Sequence, residues 1–166
     1  ERFTLEGEGK DIGGKRDSFH FAYAKYSGEG TITARIVRPM SSQWSKLGVM
    51  MRESLDAESR HASVLLLPHW NGTLVARTET SGETTTHGSR YLGEKHIIKK
   101  NRLSTPYWVR LIHFRGRFTG YISPDGFDWQ EIGSVELKMK RPFYVGLPAC
   151  SQLNKVTTTV TYDNVS

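Results

Sequence analysis

Glu53, Asp56 and Glu58 are the nearest approach in this chain to an acidic set that could hydrolyse a glycosidic bond. That chemistry needs two carboxylates facing one cleft, one to protonate the leaving oxygen and one to act on the other side of the sugar ring. On a strand, side chains share a face only at even offsets. Asp56 and Glu58 lie three and five residues beyond Glu53, so the set splits across both faces and reads as a solvated acidic turn. The histidines His20, His61, His69, His87, His96 and His113 are scattered, without the paired spacing of a metal site. No nucleophile elbow is present, and Gly7, Gly9, Gly13 and Gly14 lack the strand–loop–helix setting that cradles phosphate. Cys150 is the only cysteine, which excludes an internal disulfide and a cysteine zinc site. It follows the strand-like Val145-Gly146-Leu147-Pro148-Ala149 and reads as a small buried hydrophobe. These residues point away from catalysis.

The chemistry on offer is stacking and planar hydrogen bonding. Trp70 reads as the tip of a hairpin in Leu65-Leu66-Leu67-Pro68-His69-Trp70-Asn71-Gly72-Thr73-Leu74, with Asn71-Gly72 as a tight-turn signal. A large aromatic at a turn offers apolar surface to solvent or to something flat, such as a sugar ring. Trp70, Trp44 and Tyr91 as platforms, with Arg52, Arg77, His61 and His20 as planar partners, form the candidate carbohydrate-binding set. Trp108 and Trp129, at the ends of strand-like runs, are expected in the core, and His113 on a sheet surface. The net charge is +6 and unevenly placed: Lys95 to Pro124 holds no acidic residue but contains Lys95, Lys99, Lys100, Arg102, Arg110, Arg115 and Arg117. Lys138, Lys140 and Arg141 add a second cluster. Such an imbalance favours acidic partners, uronate or sulfated glycans among them. The basic side chains are not interleaved as in known nucleic-acid modules, so nucleic acid is disfavoured.

The elements that must position these residues read as β almost throughout. A chain of 166 residues with 37% hydrophobic and 24% charged residues is expected to be one globular domain. No apolar run approaches the ~20 residues that span a bilayer, so membrane insertion is not expected. Phe19 to Ala24 carries aromatics at alternate positions; Thr31 to Val37 puts Ile32, Ala34 and Ile36 on one face. Trp108 to Phe114 and Phe118 to Ile122 pair through Arg115-Gly116-Arg117, and Val156 to Val165 alternates cleanly. Val49 to Leu67 holds good helix formers, yet its apolar positions keep no 3.6 period, so it reads as two strands joined by a polar loop. About a dozen short strands with frequent turns predict an all-β sandwich or barrel. The start at Glu1-Arg2-Phe3, without an initiator methionine, reads as one domain, 1–166, cut from a larger protein.

Several segments in order along the chain carry a family resemblance: Asp17-Ser18-Phe19-His20-Phe21, Ser27-Gly28-Glu29-Gly30-Thr31-Ile32, and Lys46-Leu47-Gly48-Val49-Met50-Met51-Arg52-Glu53-Ser54. They continue with Tyr107-Trp108-Val109-Arg110-Leu111, Ser123-Pro124-Asp125-Gly126-Phe127-Asp128-Trp129, Tyr144-Val145-Gly146-Leu147 and Tyr162-Asp163-Asn164-Val165. Together they resemble the concanavalin A-like (laminin G-like) β-sandwich accessory modules of bacterial glycoside hydrolases and surface proteins. The resemblance implies a two-sheet antiparallel jelly roll, often joined to a catalytic domain, in an extracellular, cell-surface or periplasmic setting. It also implies a structural Ca²⁺ tying the termini, with Asp11 or Asp17 and Asp163 as ligands. The 123–129 segment is similar to the Asp-box turn of sialidases, though one residue shorter before its glycine, and that turn is structural there. The chain departs from the family pattern at His69-Trp70-Asn71-Gly72, where a small polar turn is expected. The expectation is therefore a non-catalytic carbohydrate-binding or accessory module, favouring acidic or sulfated glycans. The alternative is a structural spacer packed on a catalytic neighbour, ahead of a glycoside hydrolase or a nucleic-acid binder.

Overall fold

In a computed structural model, the structure describes the chain except residues 39–43, 68–70, 93–96, 99–101, 104–105 and 154. Trp70 and the hairpin tip around it therefore lie outside the described residues. The strands are β1 (Arg2–Gly7), β2 (His20–Tyr26), β3 (Gly30–Arg38), β4 (Lys46–Arg52), β5 (His61–Leu67), β6 (Asn71–Arg77) and β7 (Thr85–Tyr91). They continue with β8 (Ile97–Ile98), β9 (Arg102–Leu103), β10 (Tyr107–Phe114), β11 (Arg117–Ser123), β12 (Gln130–Glu136), β13 (Phe143–Cys150) and β14 (Thr158–Asp163). Two six-stranded sheets hold all but β8 and β9: a front sheet in the order β1-β14-β3-β10-β11-β12 and a back sheet in the order β2-β13-β4-β5-β6-β7. Every pairing is antiparallel. The molecule is a two-sheet β-sandwich, as the alternating runs predict.

The core lies between the sheets. Leu47, Val49, Met51, Ala62, Val64 and Leu66 of the back sheet meet Ile32, Ala34, Ile36, Val109, Leu111 and Val160 of the front sheet. The stretch that looked ambiguous in sequence has a structural cause. β4 is buried from its second residue onward and β5 nearly throughout, on both faces. Strands covered on both sides lose the in–out alternation that marks a half-buried strand. The second cover is the chain itself. Residues 8–19 cross the outer face of the back sheet, and Ile12 packs there with Met50, Leu65 and Cys150. Burial pushes the Cys150 thiol up to about 11, so it stays a neutral apolar filler.

Three local expectations change. Asn71 and Gly72 are not a turn; they pair with Leu67 and Leu66 as ladder positions, and the connection is 68–70. A Cβ on Gly72 would come within 2.6 Å of the Ile122 side chain, so this glycine serves sheet packing. His113 is 6% exposed and stacks on Phe118 at 4.4 Å, facing the core instead of solvent. Trp108 and Trp129 leave the core for the outer face of the front sheet, where both are half-buried. The two edges of the sandwich differ. At one, a Cβ on Gly88 of β7 would lie 1.9 Å from the Ile132 carbonyl oxygen of β12, so the backbones close directly. At the other, a largely apolar opening of about 500 Å³ separates β1 from β2, lined by Phe3, Ala22, Tyr26, Val145, Leu147 and Val165 among others.

Candidate functional site

Four of the sequence-derived site residues, Arg52, His61, Arg77 and Asp17, meet in space, but under the surface. Arg52 ends β4, His61 begins β5 and Arg77 ends β6, which puts them side by side on the outer face of the back sheet. Asp17, from the crossing segment, comes down onto them. Arg77 donates to both Asp17 oxygens at 2.8 and 3.0 Å, and Arg52 donates to Oδ2 at 3.2 Å. Their other donors go mainly to backbone carbonyls: Arg52 to Ser54 and Asp56, and Arg77 to Ala57, Ser59, Gly14 and Gly82; Arg52 Nη1 also meets Met50 Sδ. Arg52 is 1% exposed, and Arg77 and His61 are 0%. Their donors are committed to the protein, so they staple residues 8–19, 53–60 and 79–84 onto the sheet and do not face a sugar.

His61 gives this cluster the outline of a hydrolytic triad. Its Nδ1 is 3.0 Å from Ser63 Oγ, and its Nε2 is 4.0 Å from Asp17 Oδ2. The outline cannot act as one here. Ser63 is 0% exposed, so no acyl or glycosyl group reaches its hydroxyl. Burial first, then the positive charges of Arg52 and Arg77, hold the imidazole well below its usual pKa, which makes it a poor base. The same shift predicts an acid sensitivity. Below about pH 6.5 the unfolded chain takes a proton at this position and the folded chain does not. Stability is then full above that pH and falls by up to about 1.4 kcal/mol per pH unit beneath it. His113, lowered chiefly by burial, adds in the same direction. Urea unfolding at a series of pH values should show a shallower acid slope in His61→Gln than in the parent chain; an unchanged slope would remove His61 from this role.

The carboxylates expected to bind Ca²⁺ do not fit a calcium site. Asp17 is held by the two arginines. Asp11 accepts from Lys46 Nζ at 2.6 Å and from Gln152 Nε2 at 2.5 Å. Asp163 makes a two-pronged pair with Arg35, both bonds at 2.7 Å. Each already has a cationic partner, and among the described residues no three metal-ligating side chains gather. The other candidates are dispersed. His20 is exposed at the start of β2, Tyr91 is 49% exposed at the end of β7 opposite Asn71, and Trp44 is 48% exposed beside Lys10, Gln152 and Leu153. Glu53 accepts from the Lys140 backbone, and Glu58 pairs with Arg16 and Ser81, so these acids tie loops together.

An exposed aromatic surface does exist, on the outer face of the front sheet. The turn between β11 and β12 is tied internally. Asp125 Oδ1 accepts from the backbone of Phe127 and Asp128, both at 2.8 Å. Those bonds, that from Asp128 first, hold its carboxyl below the usual range. Ser123 Oγ accepts from Gly126 N at 2.8 Å, and Trp129 Nε1 donates to Gly126 O at 2.9 Å. Gly126 has φ 84°, and a Cβ there would come within 2.8 Å of the Trp108 ring, so only glycine lets the turn rest on that indole. The fixed turn holds Phe127 out at 90% exposure. Beside it Trp129 meets Trp108 edge-on at 6.4 Å, the Arg110 guanidinium lies 3.7 Å from the Trp129 ring centre, and Arg35 sits 5.6 Å from Trp108. Tyr121 is the cross-strand neighbour of Arg110. Sequence reasoning read the turn but passed over Phe127. The signal was available: an aromatic directly after the glycine of a Pro-Asp-Gly turn has no strand to pack under.

This architecture, two stacked six-stranded antiparallel sheets, is the β-sandwich jelly roll shared by concanavalin A-like proteins and several glycoside hydrolases. No protein-family model and no curated protein sequence matches the chain. Among solved structures it is similar to a functionally unknown protein from Saccharomyces cerevisiae, with TM-score 0.75, 21% identity, and 99% of this chain against 86% of that one. It is also similar to the carbohydrate-binding module 66 from Bacillus subtilis, with TM-score 0.58, 16% identity, and 91% of this chain against 81% of that one. A third is the κ-carrageenase of Pseudoalteromonas carrageenovora in complex with an oligotetrasaccharide of κ-carrageenan, with TM-score 0.58, 11% identity, and 99% against 78%. At these identities the likeness is one of fold.

Proposed function

We propose that this chain is a non-catalytic carbohydrate-binding module whose platform is the Phe127–Trp129 turn on the front sheet. The observation that carries this reading is Phe127, held 90% exposed by a turn that spends its polar groups on itself. An aromatic carried on a backbone fixed in that way stacks on a sugar ring without the turn having to be ordered first. The buried carboxylate of the back sheet, bonded by two arginines, supports a non-catalytic role over hydrolysis. Similarity of fold to a carbohydrate-binding module and to a carrageenase supports a polysaccharide partner. An extracellular, cell-surface or periplasmic setting and attachment to a catalytic domain belong to the same proposal. No helix among the described residues is long and apolar enough to cross a membrane. The spacer reading draws support from the apolar opening between β1 and β2, a surface suited to packing against a neighbouring domain.

Affinity electrophoresis in gels holding soluble polysaccharides tests the proposal. Phe127→Ala should weaken retention about tenfold, the equivalent of one lost stacking contact of roughly 1–1.5 kcal/mol. Its unfolding midpoint should stay near that of the parent, because the ring is packed against little. Full retention by Phe127→Ala, or none by the parent chain, would refute the assignment. Trp70→Ala belongs in the same panel, since a comparable loss there would place the sequence-derived indole at the site.

A further inference from the structure

We infer that the Phe127–Trp129 face takes an anionic polysaccharide and that Arg110 reads its sulfate or carboxylate group. This inference rests on the carbohydrate-binding reading and adds the substrate class. Among the described residues, Arg2, Arg35, Arg110 and Arg117 project from the front sheet's outer face, and all but Arg110 have a carboxylate partner, Arg2 and Arg35 sharing Asp163. Arg35 is bonded at both prongs by Asp163, and Arg117 lies 3.8 Å from Glu136. Arg110 has no carboxylate within 4.0 Å among the described residues. Its Nε is fixed on Thr33 Oγ1 at 3.0 Å, and its Cζ lies over the Trp129 ring, 3.7 Å from the ring centre. The guanidinium is thus pinned at its base and at its flat side, which leaves the two terminal nitrogens as a fork of fixed direction. A fork of that kind matches two oxygens of a sulfate or carboxylate. Arg110 is also partly removed from water, and burial lowers its pKa, so an arriving anion offsets a cost the folded chain already carries.

Three carboxylates border this face, Glu131, Asp125 and Asp128, and none of them lies within 4.0 Å of the Arg110 guanidinium. Glu131, the one acid on the adjoining strand row, is within 3.4 Å of the Tyr121 hydroxyl. Asp125 spends its Oδ1 on the turn backbone. The components then suit a charged sugar: a ring on the exposed Phe127, with its anionic substituent on Arg110, which lies over Trp129 two residues along the turn. The sequence-wide excess of +6 adds long-range attraction for such a chain but does not select a site.

The test uses the 166-residue chain and four probes: κ-carrageenan as a sulfated galactan, agarose as its neutral counterpart, polygalacturonate as a carboxylated chain, and duplex DNA. The expected result is at least ~10-fold tighter retention on one of the two acidic polysaccharides than on agarose. Which of the two is preferred tells sulfate from carboxylate. Arg110→Gln should bring the acidic-to-neutral ratio close to one and reduce the salt slope by about one ion. Arg110→Lys, which keeps the charge but not the fork, should recover only part of the ratio. Phe127→Ala should lower retention on acidic and neutral chains alike and leave the ratio intact. Equal binding of acidic and neutral polysaccharide by the parent chain overturns the anionic inference and leaves carbohydrate binding standing. A ratio that survives Arg110→Gln overturns the role of this residue. Tighter binding to DNA than to any polysaccharide overturns the substrate class. No binding to any polysaccharide removes the parent reading together with this one.

Discussion

Asp17→Asn is expected to cost about 3–5 kcal/mol of folding stability, the usual penalty for removing one partner of a buried ion cluster. The substitution is nearly isosteric, so the loss comes from charge and hydrogen bonding and not from a cavity. It strands two guanidiniums, Arg52 at 1% exposure and Arg77 at 0%, without a counter-charge. One amide oxygen cannot replace the carboxylate that bonds Arg77 twice and Arg52 once. The damage should be local at first. Asp17 N also bonds the Ala57 carbonyl, and Thr84 N bonds Gly14 O, so the 8–19 segment and the loops beneath it loosen together. Denaturant unfolding of the variant gives the size of the loss. Amide exchange should show Asp11 and Ser18, which bond each other's backbone, losing protection before the strands of the front sheet. A midpoint within about 1 kcal/mol of the parent would mean that the cluster is held by packing alone.

Tyr162→Phe should be the other costly single-atom change, at about 2–4 kcal/mol for two backbone groups left without partners. The reason begins with Pro148, which sits inside β13 between β2 and β4. Proline has no N–H, so the ladder between β13 and β4 is unpaired where Pro148 faces Gly48. The Tyr162 hydroxyl arrives from the other sheet and fills the gap. It donates to Pro148 O at 2.7 Å and accepts from Gly48 N at 3.1 Å. Burial pushes its pKa up, consistent with a phenol that never ionises in the folded chain. The phenylalanine variant keeps the ring and its packing. A loss below about 0.5 kcal/mol would show that water or a backbone shift replaces the hydroxyl. A strand-interior proline is therefore tolerated at this position because a side chain from the facing sheet completes the ladder.

Much of the fold was readable because most strands have one dry face. Ile32, Ala34 and Ile36 are buried as their alternation required, and so are Thr158, Val160 and Tyr162. The apolar ends of Val49–Leu67 were correctly divided into two strands, although double-sided burial had erased their period. The site was less legible. Arg52, His61 and Arg77 were singled out as planar partners for a sugar, and they meet instead as a buried structural cluster. Their meaning depended on Asp17, which lies 35 residues from Arg52 in the chain and 60 from Arg77. No spacing rule spans that distance. Trp108 and Trp129 were assigned to the core from their places at the ends of strand-like runs. The outer face of the front sheet takes them because the 123–129 turn folds back over one indole and Arg110 covers the other. Asn71-Gly72 carries a strong turn preference, and sheet packing against Ile122 overrode it.

The first strand waits for the last. Arg2 pairs with Asp163 and Gly7 with Thr158, and β14 also supplies the neighbour of β3. On the ribosome, β1 has no hydrogen-bonding partner until the final strand has been made and has cleared the exit tunnel. The front sheet therefore cannot close until β14 has emerged, and the nascent chain carries an open β1 edge while the strands between them are made, a period in which chaperone capture competes with aggregation.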